Sequence, residues 1–243
     1  MLQKTRGIVL KSVKYSETSL ICKVFTEAMG MRSYMISGVR STKSVNKPAL
    51  LQPLSLLDMV AYERTKKKIN RLKEFKLSTV FQTIPFDILK STTGLFVTEI
   101  LSKTLKEESA NIPLFTLVHD QILFLDETKE NIANFPIYFL LELSRHLGIY
   151  PDNNYSEERP TFDMDNGRFT SEPLSFLENP AKHGTLSRHL SFILGQSPET
   201  ALNYKILGED RRLLLTLLLQ YYECHLPNFG DIQSVGILQE VLS

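Results

Sequence analysis

The chain has no tryptophan and only two cysteines, Cys22 and Cys224, among its 243 residues. They lie near opposite ends and form no C-x-x-C pair, so a cysteine-based zinc site is not expected. Their spacing leaves a disulfide open, with buried reduced thiols the expectation. Long apolar runs are also missing. The longest, Leu213–Leu219, is broken by Thr216 and falls far short of the roughly twenty residues a membrane helix needs. The opening MLQKTRGIVLKSVKY interrupts its apolar residues with lysines and an arginine. That is not a secretory core, and a cytoplasmic protein with no membrane contact is expected. No G-x-x-x-x-G-K-[ST] loop, no G-x-G-x-x-G and no nucleophile elbow occurs. His119, His146, His183, His189 and His225 never combine in a metal-ligand spacing. Asp163 and Asp165 flank a turn, Glu157 and Glu158 lie in a polar stretch, and no carboxylate pair is placed for acid–base work. No cofactor, metal or catalysis is expected.

Charge is present, and it is divided. Residues 1–80 hold sixteen Lys and Arg against five Asp and Glu, a balance of +11. The remainder, 81–243, holds twelve against twenty-two, a balance of −10. Such a cationic segment is a footprint for a polyanion, nucleic acid above all. The acidic remainder suits scaffolding or protein partners.

The cationic segment reads as strands. Gly7–Tyr15, Ser19–Thr26, Met31–Val39, Pro53–Arg64 and Asn70–Phe75 are five β-type runs, with mixed polarity on both faces. The polar stretch Gly38–Pro48 reads as a mobile loop, and RTKKK as a basic turn. Five short strands closing at this size predict an OB-type barrel over 1–80. From Thr83 the pattern turns helical. Ile88, Leu89, Leu95, Phe96, Ile100 and Leu101 follow helical spacing after Pro85, and Leu114–Glu127 and Asn134–Leu147 continue it. Gly148 is placed as the glycine after a helix. Residues 150–182 resist a helical reading and contain FDMDNGRFT, whose Asn166-Gly167 predicts a hairpin. Helices resume at Ser187–Leu194, at Asp210–Leu226 and near Ser234–Leu242. Asp210–Leu226 is apolar nearly all round and predicts a central buried helix. The fold class is α+β: a five-stranded OB-type barrel, then an all-α domain over 81–243 with a small β-hairpin insertion at 150–182.

The candidate site is the basic cluster. Arg64, Lys66, Lys67, Lys68, Arg71, Lys73 and Lys76 crowd together, and Arg32, Arg40, Lys43 and Lys47 add a second group. Positive groups at phosphate spacing bind by releasing counterions and do not specify sequence. Unpaired bases also need flat faces to stack on. Tyr15 beside Lys14 and Tyr34 near Arg32 are the candidates, while Phe25 reads as core. Two other classes compete. One is an adaptor whose basic domain binds an acidic protein; the other is a nuclease, which no carboxylate cluster supports.

GIVLKSVKYSETSLICKVFTEAMG, then SYMISGVRS, and the closing RRLLLTLLLQYYECHLPNFGDIQSVGILQEVL resemble the RecO family of bacterial recombination mediators. The two matches bracket the chain. The resemblance implies an N-terminal OB-fold followed by a helical domain, and a non-catalytic role in DNA repair. It implies binding to single- and double-stranded DNA, strand annealing, action with RecR, and help to RecA in replacing the single-stranded-DNA-binding protein SSB. Contact with the acidic C-terminal tail of SSB is also implied. Such a tail needs an apolar pocket with a cation, for which Arg211 and Arg212 are candidates; the alternative is that they face solvent or pair with Glu209 and Asp210. Many members carry a four-cysteine zinc module, but residues 150–182 here have no cysteine.

Overall fold

A computed structural model describes residues 2–39, 48–63, 68–172 and 180–242. The chain forms two compact units, Met1–Glu127 and Thr128–Ser243. The first unit is therefore larger than the strand-rich segment, because two helices pack with the barrel.

The barrel is built from β1 (Leu2–Lys14), β2 (Leu20–Thr26), β3 (Gly30–Ile36), β4 (Leu56–Tyr62) and β5 (Asn70–Leu77). It closes in the order β1-β2-β3-β5-β4. β1 is long enough to serve two neighbours. Its first half pairs with β4 and its second half with β2, and a register shift between Val9 and Lys11 turns it from one to the other. Alternation selects the inward residues. Val9, Cys22, Val24, Tyr34, Ile36, Leu57, Met59 and Ala61 fill the interior, with Leu51 joining them from a single 3-10 turn over Pro48–Leu51. Burying the Val, Ile, Leu and Met side chains among them stabilises by about 1.5–3 kcal/mol each.

α1 (Ile88–Thr104) and α2 (Ile112–Glu127) complete the first unit. The Asp87 carboxylate caps α1 by accepting from the Lys90 amide. α1 buries Phe96, Val97, Ile100 and Leu101 but leaves Ile88 and Leu95 exposed, so the apolar face is narrower than the sequence spacing suggests. Asp126, buried near the end of α2, accepts from the backbone amides of Gln82, Thr83 and Ile84. Burial pushes its carboxyl up, but these three amides outweigh that and hold it below the ordinary value. They fasten the strand-to-helix connection.

The second unit holds α3 (Phe135–Leu147), a hairpin of β6 (Thr161–Asp163) and β7 (Arg168–Thr170), then α4 (Pro180–Ile193), α5 (Pro198–Asn203), α6 (Gly208–His225) and α7 (Ser234–Val241). Gly148 follows α3 at φ 74°, and Gly167 turns the hairpin at φ 62°. α5 escapes the periodicity argument because it is short; Ser197 caps it and Pro198 begins it. α6 is one-sided, not buried all round. Leu214, Leu215, Leu218, Tyr221 and Tyr222 face inward, whereas Leu213, Thr216 and Glu223 are exposed. Cys22 is buried, but Cys224 on α6 is exposed, contrary to the expectation for it.

Candidate nucleic-acid interface

In five-stranded OB barrels, the face of strands 2 and 3 and the adjoining loops take oligonucleotides. Here the strand register gathers cations on that face. Lys11 of β1 lies directly opposite Lys23 of β2, which lies opposite Ser33 of β3. Beside them is a groove of about 200 Å³ lined by Lys23, Met31, Arg32, Ser33, Lys68, Leu105, Lys106 and Glu108. It has four cations and one acid. Burial lowers the Lys23 pKa first, and Lys11 and Lys106 lower it further. Like charges kept this close are held against their mutual repulsion, which a phosphate would relieve.

A larger groove of about 650 Å³ crosses β1, β4 and β5. Its lining alternates Lys4, Arg6 and Lys76 with Glu27, Asp58 and Glu74. Arg6 binds Glu27 at 2.7 Å and Lys76 binds Asp58 at 3.4 Å. Its charges are already matched, so size does not make it a polyanion site. Counterion release needs an excess of positive charge, and the smaller groove, with four cations against one acid, has it.

The predicted residues fare unequally. Tyr15, in the β1–β2 turn, is 62% exposed and open to stacking. Lys68 lines the cationic groove, and Arg71 and Lys73 are exposed on β5, Lys73 against Glu74 at 3.1 Å. Tyr34 is not a stacking platform. It points into the barrel, has no exposed surface, and donates its hydroxyl to Glu63 at 2.7 Å. Its parity matches Ile36, and the core claims that face. Arg32 is not free for phosphate either. Its guanidinium donates to the carbonyls of Met31 at 2.9 Å and Glu108 at 2.8 Å, and faces the carboxylates of Glu63 at 3.5 Å and Glu108 at 3.7 Å. Arg40, Lys43, Lys47, Arg64, Lys66 and Lys67 lie outside the described residues.

Three site cations escaped the sequence reading: Lys11, Lys23 and Lys106. Each sits singly in an apolar or acidic neighbourhood, and only cross-strand register and the α1–α2 connection bring them together. The Lys–apolar alternation in β1 and β2 is the one local signal.

In the second unit, Arg211 is not available to a partner. Its Nε donates to Asn134 Oδ1 at 2.9 Å and its Nη2 to the Ile206 carbonyl at 3.0 Å. Nor do Glu209 and Asp210 pair with these arginines. Both reach Lys182, at 3.2 Å and 2.5 Å. Arg212 is half-buried on the next position of α6.

The residues do not fit a zinc module. Among the described residues, no three His, Cys, Asp or Glu could hold a metal ion. Side-chain packing holds the hairpin region instead. Asn154 accepts from the Phe169 amide at 2.7 Å and donates to its carbonyl at 3.0 Å. Phe169 packs on Tyr155 and Phe162, and Phe162 on Tyr221. No helix among the described residues is long and apolar enough to cross a membrane.

Comparison with known proteins agrees with this architecture. Residues 1–81 match the family described as "Recombination protein O N terminal", and residues 85–159 match "Recombination protein O C terminal". The chain is 36% identical over 241 residues to the DNA repair protein RecO of Bacteroides fragilis, covering 99% of each. It is 37% identical over 246 residues to that of Phocaeicola vulgatus, covering 100% of each, and 35% identical over 243 residues to that of Flavobacterium psychrophilum, covering 99% of each.

Proposed function

The chain belongs to the RecO family of DNA repair proteins, and from that premise we propose that it is a non-catalytic recombination mediator that holds DNA on the cationic face of its barrel. It binds single- and double-stranded DNA, anneals complementary strands, and with RecR helps RecA replace SSB. Its place is the cytoplasm. The observation that carries the reading is the groove of Lys23, Lys68 and Lys106 on the strand 2–3 face, joined by Lys11.

The chemistry needs no bond to break. Annealing brings two polyanions together, and a cationic surface lowers their repulsion while base pairing supplies specificity. Phosphate contact leaves base edges free to pair. Tyr15, exposed in the β1–β2 turn, offers one stacking face. The charge-matched groove on β1, β4 and β5 rejects a polyanion and suits a protein surface of mixed charge, which is the chemistry we assign to RecR contact. The SSB tail falls to Arg212.

A Lys23→Glu, Lys106→Glu double variant tests the reading. Its affinity for an oligonucleotide of arbitrary sequence falls at least about tenfold at low salt. In the wild type, log K falls by about 0.7–0.9 per phosphate neutralised as log salt rises, and the variant shows a shallower slope. A gel shift that is absent for the wild type favours the protein adaptor and ends this proposal; one that is unchanged in the variant ends the assignment of DNA to this groove.

A further inference from the structure

The seam that closes the barrel is short. β3 and β5 pair in parallel through Tyr34–Asn70 and Met35–Arg71. One carboxylate clasps the first of these pairs from both sides. The Tyr34 hydroxyl donates to Glu63 Oε1 at 2.7 Å, and Asn70 Nδ2 donates to Glu63 Oε2 at 2.9 Å. Tyr34 has no exposed surface and Asn70 is 5% exposed. Burial first, then the Glu63 contact, keeps the Tyr34 phenol well above its ordinary pKa, so it remains a donor. Arg32 is a further neighbour, its Nε standing 3.5 Å from Glu63 Oε2.

By Coulomb's law alone, an acid beside a phosphate-binding surface weakens binding. Glu63 sits where β4 ends, at the entrance to the basic connection, yet its carboxylate is turned onto the seam. On one side of that seam is Lys23 of β2, next to β3; on the other are Lys68 and Arg71 beside and within β5. A polyanion meets these as one surface only while the seam is closed. Held closed beforehand, the surface does not spend binding free energy on ordering.

We infer that Glu63 is a positioning residue for DNA binding: it clasps the β3–β5 seam so that the cations on either side of it face the same strand. The inference rests on the proposed reading of this face as the DNA surface. DNA bound across the seam in turn favours its closed state.

Glu108 supplies the control. It is exposed, lines the same groove, and carries the same charge. Fluorescence anisotropy with a labelled single-stranded oligonucleotide at low salt compares Glu63→Gln, Glu108→Gln and Tyr34→Phe. Glu108→Gln raises affinity about twofold, as removal of an acid should. Glu63→Gln makes the same charge change but lowers affinity about fivefold, since the unclasped seam must now be ordered on binding. Tyr34→Phe changes no charge and also lowers affinity. Hydrogen exchange of the β5 amides near Asn70 quickens in Glu63→Gln, and oligonucleotide slows it in the wild type. If Glu63→Gln binds as tightly as Glu108→Gln, the clasp is wrong. If Glu63→Gln does not fold, Tyr34→Phe decides alone: wild-type affinity overturns the inference. Loss of binding in the Lys23, Lys106 variant together with a neutral Tyr34→Phe sinks the clasp and leaves the DNA surface standing.

Discussion

Lys23 is a half-buried lysine between Lys11 and Lys106. Burial first, then these two like charges, lower its pKa from 10.5. In the free protein these effects make its charged form less stable than that of an ordinary lysine; a phosphate beside it would offset them. Its proposed contribution to DNA affinity is therefore fully present below its free-protein pKa and is lost as pH rises from that value through the higher pKa it takes beside a phosphate. The loss begins at a lower pH than for an ordinary lysine. Oligonucleotide titrations from neutral pH to about pH 10 check this, with Lys23→Arg flattening the profile because arginine stays charged throughout. A profile identical in wild type and Lys23→Arg removes Lys23 from the contact. Side-chain chemistry alone did not mark this lysine. Tyr34 errs the other way: its type and its neighbour Arg32 suggest stacking, but strand parity sends it inward beside Ile36. Residue type names what a group can do, and parity and register decide where it does so.

Among the elements, the β2–β3 turn bears the closest approach. Gly30 has φ 68°, and a Cβ there would stand 2.2 Å from the Ser109 carbonyl oxygen and 2.7 Å from that of Glu107. Met31 N donates to the Glu107 carbonyl at 2.9 Å. Glycine is required twice, for its backbone angle and for the approach of the α1–α2 connection. Gly30→Ala therefore costs about 2 kcal/mol or more of stability, read by denaturant unfolding. It also loosens the connection that carries Lys106 to the groove. An unchanged midpoint contradicts this packing. The strands themselves were legible, because alternation and turn residues are local signals. The hairpin was legible from Asn166-Gly167. α5 was not, since six residues give too little periodicity. α6 misled, because an LLLTLLL run reads as buried on all sides while its Leu213 remains exposed.

For the molecule as a whole, charge sorts the two units. Met1–Glu127 holds nineteen Lys and Arg against twelve Asp and Glu; Thr128–Ser243 holds nine against fifteen. A polyanion is drawn to the first and repelled by the second. An acidic peptide tail that docks on the second therefore needs a local cation. With Arg211 committed to Asn134 and Ile206, Arg212 is the cation we propose for it. Arg212→Ala lowers affinity for an SSB tail peptide about tenfold in calorimetry. Arg211→Ala is the poorer test, since it unpicks the start of α6. Unchanged affinity in Arg212→Ala places the tail elsewhere.

Composition and local pattern alone determined a cationic β-barrel followed by helices, an Asn-Gly hairpin, the lack of cysteine ligands between 150 and 182, and the RecO resemblance. These follow from periodicity, turn chemistry and counts, which depend on neighbours a few residues apart. Only the tertiary structure decided which cations share a surface, that Arg32, Tyr34 and Arg211 are spent on internal contacts, and that Glu63 spans the closing seam. Those facts depend on pairing between strands and helices far apart in the chain. A one-residue change in strand register would move the strand side chains among them to the opposite face, and no local signal in the chain encodes it.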